Sequence, residues 1–246
     1  MSSKETPKKS KRQVMKEKRV QEARRKRMIV IAVIVGVALI LVAAVALPAI
    51  QDANAPVGEF VQITPESYPT PDGRMMGDPN APVTIEVYED FKCSACQGYS
   101  QTIEPQVISE LVETGTVFYV FRQYPFLDDR SNVKDSDNAA NASMCAADQG
   151  HFWDYKKMLY ANLNFKPGEF SEKRLLAFAE SMGLDMDAFG SCLDGRTHQS
   201  VIDEEINMGI SAGVTGTPSI FVNGQQVKPG YVPTFEEILA AVNAAQ

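Results

Sequence analysis

The stretch Val83-Thr84-Ile85-Glu86-Val87-Tyr88-Glu89-Asp90-Phe91-Lys92-Cys93-Ser94-Ala95-Cys96 decides the fold. Its first six residues alternate in polarity and are rich in β-branched side chains, the pattern of a strand. Asp90-Phe91-Lys92 turns the chain into Cys93. From there Tyr99, Ile103, Val107, Ile108, Leu111 and Val112 recur at helical spacing up to a stop at Gly115. A helix is therefore expected over 93–114, kinked by Pro105. Two cysteines three apart at a helix start put one sulfur in the exposed first turn and the other behind it. There the unpaired N–H groups and the helix dipole favour a thiolate. A Cys-x-x-Cys serves redox chemistry, a metal ion or plain structure, and the rest of the chain has to decide.

Downstream, 117–124 reads as a second strand ended by Pro125, and the right-handed crossover rule makes it parallel to the first. No strand pattern occurs over 131–212. Helices are expected at 138–148, 151–162, 171–182, 185–193 and 197–211, parted by Gly150, Pro167-Gly168, Gly183 and Gly195. Then Ser219-Ile220-Phe221-Val222, Asn223-Gly224 and Gln225-Gln226-Val227 give a hairpin signal, and Thr234 caps a last helix over 234–244. The order β-α-β, helical insert at 131–212, β-β-α is an α/β arrangement, that of a thioredoxin fold with a helical domain between its halves.

Upstream, charge is unevenly placed. Residues 1–27 hold twelve Lys/Arg against three Asp/Glu, and the remainder twelve against 28, so an acidic body follows a basic tail. Such a body offers no basic face to nucleic acid. Residues 28–47 carry no charge, and as a helix they span about 30 Å, the hydrocarbon thickness of a bilayer. Arg24-Arg25-Lys26-Arg27 before them is expected to stay cytoplasmic, sending the body outward. The run reads as an uncleaved single-pass anchor. The alternative is a signal peptide cleaved near Pro48 and Ala53-Asn54-Ala55. The tail at 1–27 reads as disordered, and 48–76, rich in Pro, Gly, Asp and Thr, as an extracytoplasmic linker with an edge strand at Phe60-Val61-Gln62-Ile63. Export places the four cysteines where disulfides persist. Cys145 and Cys192, each on its own helix in the insert, read as a structural disulfide, with a second redox pair as the alternative.

Three motifs carry a family resemblance. They are Gly77-Asp78-Pro79-Asn80-Ala81-Pro82-Val83-Thr84 leading to Cys93-Ser94-Ala95-Cys96, Cys145-Ala146-Ala147-Asp148-Gln149-Gly150-His151-Phe152-Trp153, and Gly213-Val214-Thr215-Gly216-Thr217-Pro218. In this order and spacing, 77–246 resembles the DsbA-like branch of the thioredoxin superfamily in its membrane-anchored bacterial form. The resemblance implies an exported thiol:disulfide oxidoreductase with Cys93 as nucleophile, Cys96 as buried resolving partner, and Ser94 and Ala95 flanking them. It also implies a cis-proline at Pro218, with Thr217 before it presenting backbone to the client chain. Reduced exported proteins are the implied clients, and a quinone-linked membrane oxidase of the DsbB or VKOR type the implied partner. No cofactor is expected.

Two departures point to a moderate oxidant. Ala95 stands where relatives often carry His or another polar or ring-bearing residue, and Val87 stands where many bury a carboxylate six residues before the first cysteine. Glu86 and Glu89 are the alternative proton relays, though each reads first as solvated, and Lys92 reads as a solvated rim charge. His151 and His198 are not expected to be catalytic, and no closed zinc set is recognisable. The sequon Asn141-Ala142-Ser143 falls within a helix and reads as chance. Phe152, Trp153, Tyr155 and Leu159 read as core. A reductase or isomerase of the same fold remains an alternative, as does a metal-binding module that uses the Cys-x-x-Cys.

Overall fold

Strand β2 (Val83–Glu89) holds the centre of the sheet, and its alternation explains why: Val83, Ile85 and Val87 are fully buried on one face. A computed structural model describes residues 11–54, 57–130 and 134–246. They fall into two units, divided after residue 56.

In the first unit, α1 (Lys11–Asn54) is one long helix. Within it Arg24–Ala44, 21 residues of mean hydropathy 2.8, is long and apolar enough to cross a membrane. The tail expected to be disordered is helical from Lys11 onward. Its Lys, Arg, Glu, Gln, Met and Ala are good helix formers, and extending an existing helix avoids the cost of nucleation. Pro48 lies inside this helix, while Ala55 and residues 1–10 fall outside the described residues.

In the second unit, β1 (Met75–Met76), β2, β3 (Val117–Gln123), β4 (Ser219–Val222) and β5 (Gln225–Gln226) form a sheet in the order β1-β3-β2-β4-β5. Strands β2 and β3 run parallel, Val83 opposite Val117, and β4 lies antiparallel on β2 with Ile85 opposite Val222. The hairpin β4–β5 completes one edge and β1, antiparallel to β3, the other. Gly77 (φ +92) leads from β1 into the motif, where a Cβ would sit 2.7 Å from the Val117 carbonyl oxygen, so glycine is required.

The helix expected over 93–114 is broken into α2 (Ser94–Thr102), α3 (Glu104–Val107) and a π-helical turn, Ile108–Val112. The break falls at Ile103, so Pro105 sits in the first turn of α3, where its missing N–H removes no hydrogen bond.

Five helices follow β3, close to their expected places: α4 (Asp135–Ala147), α5 (Phe152–Ala161), α6 (Glu172–Ser181), α7 (Met186–Asp194) and α8 (Gln199–Ser211). Phe152, Trp153, Tyr155 and Leu159 are buried in one core with Phe178 and Phe189. Asn141 is buried and donates to the Leu193 carbonyl, so the sequon faces inward. The last helix, α9 (Phe235–Ala245), opens with a capping box between Thr234 and Glu237.

The segment expected as linker and edge strand behaves differently from residue 57 on. Phe60, Ile63 and Tyr68 pack on the core, with the Phe60 ring 5.0 Å from Phe178. No strand forms at 60–63. The Asn162 side chain accepts from the Val61 N–H (2.8 Å) and donates to its carbonyl (2.9 Å), a satisfaction that a ladder would otherwise supply. The segment is thus a strap on the body.

Candidate active site

The end of β2 aims the chain at the site. Asp90, buried at the turn, accepts from the N–H of Lys92 (2.8 Å), Phe126 (3.0 Å) and Leu127 (3.0 Å), while the Cys93 N–H donates to its carbonyl (3.0 Å). Burial still pushes the Asp90 carboxyl up to about 6. This clamp sets Cys93 as the N-cap of α2, in extended conformation (φ −84°, ψ 119°).

The two sulfurs lie in contrasting surroundings. Cys93 is half-buried, and its pKa falls from 9.0 to about 6. The largest cause is the hydrogen bond from the Cys96 thiol. Burial opposes it, and the Thr217 hydroxyl and the N–H groups of Cys96 and Ala95 add to it. Cys96 is fully buried and its pKa is pushed well above 9.0, by burial first, then by holding the bond to Cys93 and facing the charge of Glu89. Ser94 is exposed beside Cys93, and Ala95 contributes only backbone.

Opposite stands the cis Thr217-Pro218 bond. The Thr217 carbonyl oxygen is 3.2 Å from the Cys93 sulfur, which donates to it as a thiol. The Thr217 hydroxyl oxygen is buried with no hydrogen-bond partner and close enough to both sulfurs to lower their pKa values. All four residues that the motifs single out, Cys93, Cys96, Thr217 and Pro218, therefore meet at one place.

Beneath the sulfurs lies a charged cluster that the sequence only partly indicates. Glu89 is wholly buried; it accepts from the Tyr160 hydroxyl (2.7 Å) and pairs with the Lys156 ammonium (3.0 Å). Lys156, itself buried, also pairs with Glu104, which accepts from the hydroxyls of Tyr119 (2.8 Å) and Ser100 (2.9 Å). Burial raises Glu89 to about 7, with Glu104 adding to the rise and Lys156 opposing it. Burial disfavours the Lys156 charge, but Glu104 and Glu89 hold its pKa above the ordinary value. Glu89 is thus no solvated carboxylate. The strand ends there, and its side chain turns inward to a cation supplied by α5.

Two other expectations need correction. Lys92 pairs with Asp135 (3.3 Å) and Glu169 and donates to the Lys166 carbonyl, because those two nearly buried carboxylates need a cation. Its charge is spent there. Glu86 is bound by Arg122 (2.6 Å), which also reaches Glu205.

Cys145 and Cys192 form a disulfide between α4 and α7, with Cα atoms 5.8 Å apart. Closing a loop of sequence separation 47 stabilises the fold by about 4 kcal/mol in the chain-entropy estimate. Their sulfurs gather with His198 within 4.8 Å, but bonded to each other they are not thiolate ligands. His198 is held by Asp148 (2.7 Å), and His151 lies 3.9 Å from Asp154.

Residues 69–244 match the sequence model of the family described as Thioredoxin. A Na(+)/H(+) antiporter NhaA 1 of Salinispora arenicola is 34% identical over 169 residues, 69% of this chain; the chain spans only 24% of that relative's length. The Probable disulfide bond formation protein D of Bacillus cereus is 27% identical over 161 residues, covering 63% of this chain and 72% of its own. Among solved structures, oxidised BdbD from Bacillus subtilis superposes with a TM-score of 0.62 at 22% identity, over 76% of this chain and 98% of that one. From the match over 69–244 and the sheet order with its helical insert, the chain belongs to the thioredoxin family and has the DsbA-like form of its fold.

Proposed function

We propose that the protein is a thiol:disulfide oxidoreductase whose redox couple is Cys93 and Cys96, acting as an oxidase of client protein thiols. One observation carries this reading: a half-exposed, low-pKa Cys93 beside a fully buried, high-pKa Cys96, with the Thr217 carbonyl at 3.2 Å. The name of the Bacillus cereus relative, a disulfide bond formation protein, agrees with it.

In the oxidised protein, a client thiolate attacks the Cys93 sulfur and the bond between Cys93 and Cys96 breaks. The electron pair goes to Cys96, which its buried site holds as a thiol, and the proton comes from Glu89, the buried carboxylate whose charge bears on Cys96. A second client thiolate then attacks the client sulfur of the mixed disulfide, closes the client disulfide and expels Cys93 as thiolate. The client loses two electrons and the protein gains them. A low leaving-group pKa speeds this release, and stabilising the reduced thiolate makes the couple more oxidising.

Thr217 and Pro218 form the edge against which the client backbone lies, and the disulfide of Cys145 and Cys192 is structural. The apolar span Arg24–Ala44 anchors the body outside the cytoplasm, with exported proteins as clients and a quinone-linked membrane oxidase of the DsbB or VKOR type restoring the disulfide. The test is Cys96→Ala. It should accumulate mixed disulfides through Cys93 with exported proteins, and Cys93→Ala should accumulate none. If Cys96→Ala traps nothing, this site does not oxidise clients.

A further inference from the structure

Reoxidation sends a proton the opposite way. For Cys96 to attack a mixed disulfide held on Cys93, its thiol must lose a proton in a place without water. Glu89, whose charge bears on the Cys96 thiol, is the carboxylate placed to accept that proton, but it is wholly buried and has no contact with solvent through which to pass it on. Lys156 touches Glu89 on one side and Glu104 on the other. Glu104 in turn holds the Ser100 hydroxyl, and Glu104, Ser100 and Lys156 all line a cleft of about 480 Å³ beneath the strap residues Glu66 and Tyr68.

We infer that Glu104 is the proton's exit from the buried cysteine, delivering it to water in this cleft. The inference rests on the thiol–disulfide reading and adds the route that reading lacks. Two protons shift together: Glu89 gives one to the Lys156 nitrogen while Lys156 gives one of its own to Glu104. The lysine ends as it began, Glu89 is again a carboxylate, and Glu104 is neutral until water takes its proton. The groups facing Glu104 are Lys156 and Tyr160 from α5, Tyr119 from β3, Tyr99 from α2, Glu89 from β2 and Tyr68 from the strap. The tyrosines hold their protons at neutral pH, since burial raises all four phenols. Lys156 and the two carboxylates are the groups left to move one.

The test follows glutathione release from Cys93 after reduced full-length protein meets oxidised glutathione, with and without imidazole small enough to enter the cleft. Glu104→Gln should slow release at least tenfold at pH 7 and recover at least fivefold with imidazole, whereas Glu89→Gln, without the inner acceptor, should slow without recovery. Ser100→Leu, which fills the cleft and keeps every charge, should also slow release, and it decides the matter if Glu104→Gln does not fold. Release within twofold of the parent rate in Glu104→Gln, a slowing that imidazole does not relieve, or an unaltered Ser100→Leu overturns the exit. Failure of the oxidoreductase reading would look different: the unsubstituted protein itself would not release glutathione.

Discussion

Replacing Lys156 by methionine keeps most of the apolar stem and removes the one cation between two buried carboxylates. The parent cluster is already finely set. Glu89 has a folded pKa near 7 against an ordinary 4.5, so its charging opposes folding as pH rises through that window. At about 1.4 kcal/mol per unit, this one group withdraws roughly 3 kcal/mol of stability between pH 4.5 and 7. Without Lys156 the two charges also face each other uncompensated, and removing one partner of a buried pair costs about 3–5 kcal/mol. Protonating the carboxylates relieves the strain, so the loss is largest at high pH. Urea unfolding of the parent and Lys156→Met at pH 5 and pH 8 checks this. The expected penalty is about 3–5 kcal/mol at pH 8 and clearly smaller at pH 5. A penalty below about 1 kcal/mol, or one equal at both pH values, would mean that Lys156 does not compensate two buried charges.

Further expectations follow from the same geometry. The 240 nm thiolate absorbance of the reduced protein should titrate with a midpoint near 6 for Cys93, leaving about nine-tenths of it ionised at pH 7; a midpoint above 8 contradicts the site description. Because the folded pKa is depressed, the reduced form gains stability from Cys93 as pH rises above 6 and loses it below. With its partial exposure discounted, this is about 1 kcal/mol at pH 7, measurable as a pH-dependent difference between reduced Cys93→Ser and the parent. Thr217→Val removes the hydroxyl that faces both sulfurs and should raise the Cys93 midpoint by about one unit. Cys145→Ser with Cys192→Ser should lower unfolding stability by about 4 kcal/mol while leaving the Cys93 titration in place.

Much of this site was legible because its logic is local. Alternating Val83, Ile85 and Val87 announced the central strand, and a helix start fixed the inequality of Cys93 and Cys96 before any coordinate. The helices of the insert were marked by their glycines. What escaped depends on partners remote in sequence. Glu89 looked solvated because Lys156, 67 positions on, is invisible from the strand. Yet Lys156 carried a signal, standing four residues after Phe152 and four before Tyr160 on the face that those aromatics bury. A charge on an apolar stripe asks for a buried counter-charge. Lys92 was misread for the same reason, since Asp135 and Glu169 lie in other elements. The strap at 57–68 has the composition of a linker, and only the Asn162 amide and the Phe178 ring show that it is held down. The basic tail failed on another count: its residues are hydrophilic but also good helix formers, and a long apolar helix follows directly.

The reaction proposed for the couple of Cys93 and Cys96 is the oxidation of client thiols. The couple's equilibrium reduction potential against glutathione at pH 7 tests this most directly. The lowered Cys93 pKa stabilises the reduced form, while Ala95 adds no polar side chain to help it. A potential between about −120 and −220 mV, on the oxidising side of the scale, is therefore expected. A value near −270 mV, as reducing as thioredoxin, would contradict it.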